Sequence, residues 1–139
     1  MSRENVELIR QMLATFVEVD EGLVDAGQLK QFFAADATLD MDPYVSPENT
    51  RFDGIDEFLE WRTDWIAMFD DWSYSPEKFL DAGADRVAVT FNQRGRLRGT
   101  DDWVEMHYGI VYMVVEGLIT ASRMYVTVED ALEAAGLSE

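Results

Sequence analysis

The sequence predicts an α+β domain in which helices come first and an antiparallel sheet folds against them. Three observations lead to this prediction. Apolar residues recur every three or four positions through the first half of the chain, which is the spacing of helices with one buried face. From about residue 72 onward they alternate with polar residues, as in half-buried strands. With 139 residues the chain has the length of a single domain, which we expect to span residues 1–139.

Three helices are expected in the first half. The first has a buried face formed by Val6, Ile9, Leu13, Phe16 and Val17. A short second helix is expected around residues 29–33. The third has one apolar stripe over residues 55–69 and a second formed by Trp61, Trp65, Met68 and Trp72. A helix that is apolar over so wide an arc is covered on more than one side. We therefore expect the third helix to pack on the sheet and also to wall a cavity.

The second half is expected to form four strands, near residues 72–80, 87–92, 103–115 and 118–128, followed by a short C-terminal helix. The strand over 103–115 has one face that is apolar or aromatic throughout: Val104, Met106, Tyr108, Ile110, Tyr112 and Val114. Its other face begins with Trp103, Glu105 and His107 and becomes apolar later. We expect the first face to point inward and the second to be solvated at one end and covered at the other.

Composition excludes several classes of function. The chain has 28 acidic and 11 basic residues and a net charge of −17, so we expect neither nucleic acid nor a membrane surface as a partner. No apolar run approaches the ~20 residues of a membrane span, and no export signal is evident, so we expect a cytoplasmic protein. The sequence has no cysteine, one histidine and no phosphate-loop or dinucleotide motif. We therefore expect no metal and no cofactor.

Three segments follow one another in a characteristic order. They are Met1–Glu7 with Phe16, then residues 33–38 (Phe-Ala-Ala-Asp-Ala-Thr), then residues 52–55 (Phe-Asp-Gly-Ile) with Phe58. In this order, and with the ending at residues 130–137, the chain resembles the SnoaL-like branch of the nuclear-transport-factor-2-like superfamily over essentially its whole length. The resemblance implies a cone-shaped, curved antiparallel sheet wrapped around three N-terminal helices, and a homodimer formed through the outer sheet face. Members include ketosteroid isomerase, scytalone dehydratase, polyketide cyclases and limonene epoxide hydrolase, and others have no known catalysis, so the fold does not fix the chemistry.

We expect the cone to enclose a small apolar molecule. The inner face of the strand over 103–115 and the tryptophans of the third helix would line the pocket, together with the first helix, the loop after residue 41 and the last strand. The residues expected to bind the ligand are Phe16, Tyr44, Trp61, Trp65, Met106, Ile110, Tyr112, Ser122 and Met124.

Asp40 and Asp42 are the candidate catalytic acids. The isomerases that the chain resembles carry their catalytic aspartate before a proline at this place, as in Asp42-Pro43, but one additional residue here leaves either acid as the equivalent. A carboxylate at the mouth of an apolar pocket can move a proton next to a carbonyl, and Tyr108 would polarise that carbonyl.

Other positions depart from the patterns of the named enzymes. Phe16 or Met12 stands where the isomerases place a tyrosine, and Met106 is near the position of their second donor, so steroid isomerisation is not expected. Met124 replaces an aspartate of the epoxide hydrolases. Three functions stay open: an isomerase, cyclase or lyase with a carboxylate base, a binding protein without chemistry, and a dimeric interaction module.

Overall fold

A computed structural model describes residues 2–48 and 50–137 and confirms the α+β class. Its elements, in chain order, are α1 (Ser2–Asp20), a 3₁₀ helix (Ala26–Phe32), β1 (Phe33–Asp40), β2 (Arg51–Asp53), α2 (Ile55–Ile66), β3 (Phe69–Gly83), β4 (Arg86–Leu97), β5 (Trp103–Val115), β6 (Leu118–Tyr125) and α3 (Val128–Ala134). Within the described ranges, no helix has the length and apolar character that crossing a membrane requires.

The strands form one six-stranded sheet with the order β2-β1-β6-β5-β4-β3. Neighbouring strands are antiparallel except β1 and β6, which run parallel, with Leu39 opposite Ser122. The predicted antiparallel sheet is therefore confirmed, with the pairing of β1 and β6 as an exception that the sequence did not indicate. The reason is topological, because the chain passes through α2 and three long strands before β6 returns beside β1, and such a crossover permits parallel pairing.

Register shifts bend the sheet around the helices. The pairing of β3 with β4 shifts three times, between Phe69 and Asp71, between Pro76 and Lys78, and between Asp81 and Gly83. Such irregularities bend a strand and increase its twist. The concave face packs against α1 and α2, and the largest side chains there are buried to 2% exposure or less: Ile9, Met12, Leu29, Phe52, Phe91 and Ile119.

The third helix is shorter than predicted, because α2 ends at Ile66. The amide groups of Ala67 and Met68 close its last turn on the carbonyl groups of Thr63 and Trp65. β3 then begins at Phe69, and Trp72 pairs with Gly95 of β4. The predicted stripe that continued to Trp72 is therefore wrong, since strand pairing starts before the stripe is complete.

The two faces of β5 differ largely as predicted. On the inner face, Tyr108 and Tyr112 are buried. On the outer face the covered part is in the middle of the strand rather than at its end, because α3 packs on Gly109 so closely that an added Cβ would clash with Ala131. Trp103 and Met113, toward the two ends of that face, are 46% and 41% exposed.

Candidate functional site

A cavity lies between the helices and the concave face of the sheet. It leaves about 100 Å³ for the centres of water molecules, well above the roughly 10–15 Å³ that one water requires. Its wall combines side chains of α1, α2 and the loop after β1 with side chains of β3, β4, β5 and β6. The space is therefore large enough for a small organic molecule.

Eight of the residues predicted around a pocket line this cavity: Phe16, Trp61, Trp65, Met106, Tyr108, Ile110, Tyr112 and Met124. Four of them, Met106, Tyr108, Ile110 and Tyr112, lie on the inner face of β5, as the alternation of that strand predicted. Two more are the tryptophans of the apolar stripe on α2. Their part in binding a ligand stays a prediction, since the geometry establishes only that they share one cavity.

Two pairs of stacked aromatic rings line the cavity. On α2, Trp61 and Trp65 stack with their ring centroids 5.5 Å apart and an interplanar angle of 19°. On the sheet, Phe91 and Tyr108 stack with centroids 5.0 Å apart and an angle of 12°. Stacked rings present broad apolar faces, and such faces fit a planar ligand.

Arg62 is the single charged residue among the described side chains that line the cavity. Its two terminal nitrogens donate to the two carboxylate oxygens of Asp20 over 2.7 and 2.8 Å. The guanidinium carbon also lies 4.8 Å from the ring centroid of Phe16, 5.1 Å from that of Trp72 and 5.6 Å from that of Tyr74. The arginine is thus held by one carboxylate and enclosed by three rings.

The sequence analysis did not identify this ion pair. One signal could have indicated it, because Arg62 is a cation among the apolar positions of α2, and a charge at such a position needs a partner. Asp20 carried no signal of its own, because it lies 42 residues away at the end of α1 and is one of 28 acidic residues.

Several donor groups at the cavity lack a strong acceptor. Trp72 Nε1 and the hydroxyl of Tyr74 are buried, and neither donates a hydrogen bond within the described chain. The guanidinium of Arg62 lies close enough to Tyr74 Oη to act on it as a donor, which leaves the O–H of Tyr74 free. Gln93 is 7% exposed, and within the described residues its side-chain amide nitrogen donates to the sulfur of Met106 at 3.7 Å, which is a weak acceptor. Buried donors are normally paired, so the unpaired ones indicate groups that a ligand or water satisfies.

The tyrosine hydroxyls of the cavity remain protonated at neutral pH. Burial raises the pKa of Tyr74 to about 12, although the nearby charge of Arg62 opposes part of that rise. Burial also raises the pKa of Tyr108 and of Tyr112 well above the ordinary value, and the proximity of the other cavity tyrosines adds to both rises. All three hydroxyls are therefore available as hydrogen-bond donors.

Neither candidate catalytic acid lines the cavity, although one of the two was expected to face it. Both oxygens of Asp40 accept hydrogen bonds from Arg51, the shorter being 2.7 Å. Asp42 accepts from the backbone amide groups of Tyr44 and Val126 at 3.0 and 2.9 Å and so ties the loop after β1 to the end of β6. Both carboxylates therefore form hydrogen bonds with groups outside the cavity. The sequence pattern gave no indication of these partners.

Two residues expected to bind the ligand also lie elsewhere. The side chain of Tyr44 is 85% exposed, because the turn that Asp42 holds directs Val45 inward instead. Ser122 is buried, but its neighbours in the sheet are Leu39 and Tyr112, so it belongs to the packed core beside the cavity.

No metal centre is evident among the residues that the structure describes, where no group of three or more histidine, aspartate or glutamate side chains comes together. His107 lies on the outer face, 3.9 Å from a carboxylate oxygen of Glu77. The cavity offers hydrogen-bond donors and aromatic surface but no metal-ligand set.

Comparisons with known proteins agree with this geometry. The SnoaL-like domain model matches residues 9–122. Among solved structures, a nuclear-transport-factor-2-like protein of unknown function from Burkholderia pseudomallei is 14% identical with a TM-score of 0.72, over 94% of this chain and 95% of that one. A protein of Jannaschia, provisionally assigned as a SnoaL-like polyketide cyclase, is 15% identical with a TM-score of 0.70, over 99% and 94%. TerC, co-crystallised with polyporic acid, is 18% identical with a TM-score of 0.69, over 96% and 98%.

At these identities the structural neighbours establish the fold and not the activity. No curated protein matches the sequence. The domain match covers most of the chain, and the fold is shared with the nuclear-transport-factor-2-like neighbour. This protein therefore belongs to the SnoaL-like domain family, within the nuclear-transport-factor-2-like fold.

Proposed function

We propose that this protein binds a flat, largely apolar small molecule that carries a hydrogen-bond acceptor. The observation that supports the proposal is an aromatic cavity whose buried Trp72 Nε1 and Tyr74 Oη donors have no acceptor in the described chain. The stacked rings of α2 and of the sheet supply the apolar contact, and the unpaired donors supply the orientation of the ligand.

The structural neighbours support a flat, oxygen-bearing ligand, and they carry no argument about its charge. TerC was crystallised with polyporic acid, and other structural neighbours are provisionally assigned as polyketide cyclases. An aromatic or polyketide-like molecule with carbonyl oxygens fits both parts of this cavity, since its rings match the flat walls and its oxygens match the donors.

A cavity-filling substitution tests the proposal. We expect 2-acetylnaphthalene to bind the protein, and Ile110→Trp to weaken that binding on the order of tenfold or more, because the indole would occupy the ligand space. Isothermal titration calorimetry measures both affinities. The matched control is Leu23→Trp, which places the same side chain at a position that is 68% exposed and lies outside both the cavity lining and the outer sheet face.

Two results would contradict the proposal. One is that wild-type protein binds neither 2-acetylnaphthalene nor naphthalene. The other is that Ile110→Trp and Leu23→Trp bind the probe equally well, which would locate the bound probe outside the cavity.

Catalysis is the second candidate, and the three protonated tyrosines favour it because they can stabilise a developing oxyanion. A base is also required, and Asp40 and Asp42 stay predictions for that role. If either is the base, its replacement by asparagine abolishes turnover of a carbonyl substrate and leaves the affinity for 2-acetylnaphthalene unchanged. Loss of the affinity instead would assign that aspartate to holding the loop.

The homodimer also stays a proposal. The exposed apolar side chains Trp103, Met113, Val115 and Leu118 favour an interface on the outer face of the sheet. Light scattering that returns the monomer mass of 15.9 kDa at micromolar concentration would contradict it.

A further inference from the structure

Asp20 lies behind Arg62, outside the residues that line the cavity. The side chains of the pair are 28% and 12% exposed, and both terminal nitrogens of the guanidinium are directed at the carboxylate. The positive charge at the cavity wall is therefore balanced by a group that a ligand in the cavity does not touch.

The surroundings of Arg62 disfavour a second negative charge. The other groups near it, Trp72 Nε1 and Tyr74 Oη, are neutral donors. The protein as a whole carries a net charge of −17, which repels anions. A carboxylate that entered this aromatic space would lose its hydration, which costs free energy. Only the attraction of Arg62 could offset that cost, and the negative charge of Asp20 weakens this attraction.

We infer that Asp20 sets the charge selectivity of the cavity: by neutralising Arg62, it makes the cavity select neutral ligands with an acceptor oxygen over ligands with a carboxylate. This inference rests on the proposed function and names the ligand class more narrowly. Asp20 is a positioning residue, since it acts on the ligand through Arg62. A neutral carbonyl oxygen can accept hydrogen bonds from Trp72 Nε1 and Tyr74 Oη, and it loses less hydration than a carboxylate when it enters the cavity.

Two probes of nearly equal shape test the inference, 2-acetylnaphthalene and 2-naphthoate. At neutral pH and low salt, we expect the wild-type protein to bind the ketone about tenfold more tightly or better. In Asp20→Asn the charge of Arg62 is no longer balanced, so the affinity for 2-naphthoate rises on the order of tenfold or more. The affinity for the ketone changes by about threefold or less in the same variant, because a neutral ligand has no net charge for Asp20 to repel.

Three variants separate charge selectivity from a merely structural role. Glu18→Gln changes the net charge equally from an exposed position on the same helix, and we expect it to keep the wild-type ratio of the two affinities. Asp20→Glu restores the carboxylate and the wild-type ratio. The double variant Asp20→Asn/Arg62→Gln leaves no lone charge, so we expect it to keep the ketone preference. If Asp20→Asn alone does not fold, Asp20→Ser removes the same charge and is expected to raise the affinity for 2-naphthoate in the same way.

The inference is overturned if wild-type protein prefers 2-naphthoate, if Asp20→Asn leaves the ratio of affinities unchanged, or if the double variant loses the ketone preference. These outcomes can be distinguished from failure of the proposed function. If wild-type protein binds neither probe and no naphthalene, both proposals are wrong. If the probes bind but the ratio of the two affinities is the same in every variant, only the inference about Asp20 is wrong.

Discussion

Replacing Arg62 with methionine is expected to lower the free energy of unfolding by about 3 kcal/mol. The substitution leaves the carboxylate of Asp20, 28% exposed, without the cation that now donates two hydrogen bonds to it. It also removes the guanidinium from its contacts with three aromatic rings. Urea unfolding followed by circular dichroism measures the loss, which corresponds to a fall of roughly 10 °C in Tm for a chain of this length.

The matched control for this prediction is Arg51→Met. Arg51 forms an ion pair with Asp40 of the same 2.7 Å length, and the carboxylate left behind is 21% exposed, similar to Asp20. The side chain of Arg51 itself is 60% exposed, whereas that of Arg62 is 12% exposed and lies against three rings, so we expect a clearly smaller loss of stability from Arg51→Met. Asp20→Asn combined with Arg62→Met should recover part of the loss, because no uncompensated charge remains. Equal costs for Arg62→Met and Arg51→Met would show that the enclosure of Arg62 by the rings adds nothing.

Stability is expected to fall steeply in alkali. The unfolded chain releases the proton of Tyr74 near pH 10.0, whereas the folded protein holds it until its pKa of about 12. The neutral hydroxyl therefore contributes stability that is fully present below pH 10 and is lost as the pH rises toward 12, by about 3 kcal/mol. Tyr108 and Tyr112 add to the loss in the same direction, because burial raises the pKa of each.

Absorbance of tyrosinate at alkaline pH, recorded together with far-ultraviolet circular dichroism, measures this effect. We expect part of the tyrosinate absorbance to appear only as the fold is lost. Tyr74→Phe should reduce the loss of stability above pH 10, whereas Tyr44→Phe, at a side chain that is 85% exposed, should not. Complete titration of the five tyrosines with the circular dichroism spectrum intact would contradict the prediction.

Periodic segments made most of the fold predictable. The alternation over residues 103–115 assigned Met106, Tyr108, Ile110 and Tyr112 to one face, because a strand allows only two orientations and one face had to be buried. The same patterns place Trp61 and Trp65 at the cavity. The end of α2 was not predictable from periodicity, since Met68 and Trp72 continue the helical spacing while strand pairing with β4 takes over at Phe69.

The polar part of the site was less predictable, because it depends on pairings distant in sequence. Asp20 meets Arg62 across 42 positions, and Asp42 meets the amide group of Val126 across 84. A pattern of residue types cannot show which of 28 acids a given cation or amide group selects. Asp40 and Asp42 were singled out by the resemblance to the isomerases, whereas their hydrogen-bond partners are fixed by the tertiary fold.

The parallel pairing of β1 with β6 has a consequence for biosynthesis. β1 is synthesised well before β6, yet the two strands pair directly in the sheet, with Leu39 opposite Ser122. The concave surface therefore stays incomplete, with its aromatic side chains accessible, until β6 has been synthesised. Folding of this domain is expected to wait for that point, and the nascent form that precedes it is the state most exposed to aggregation.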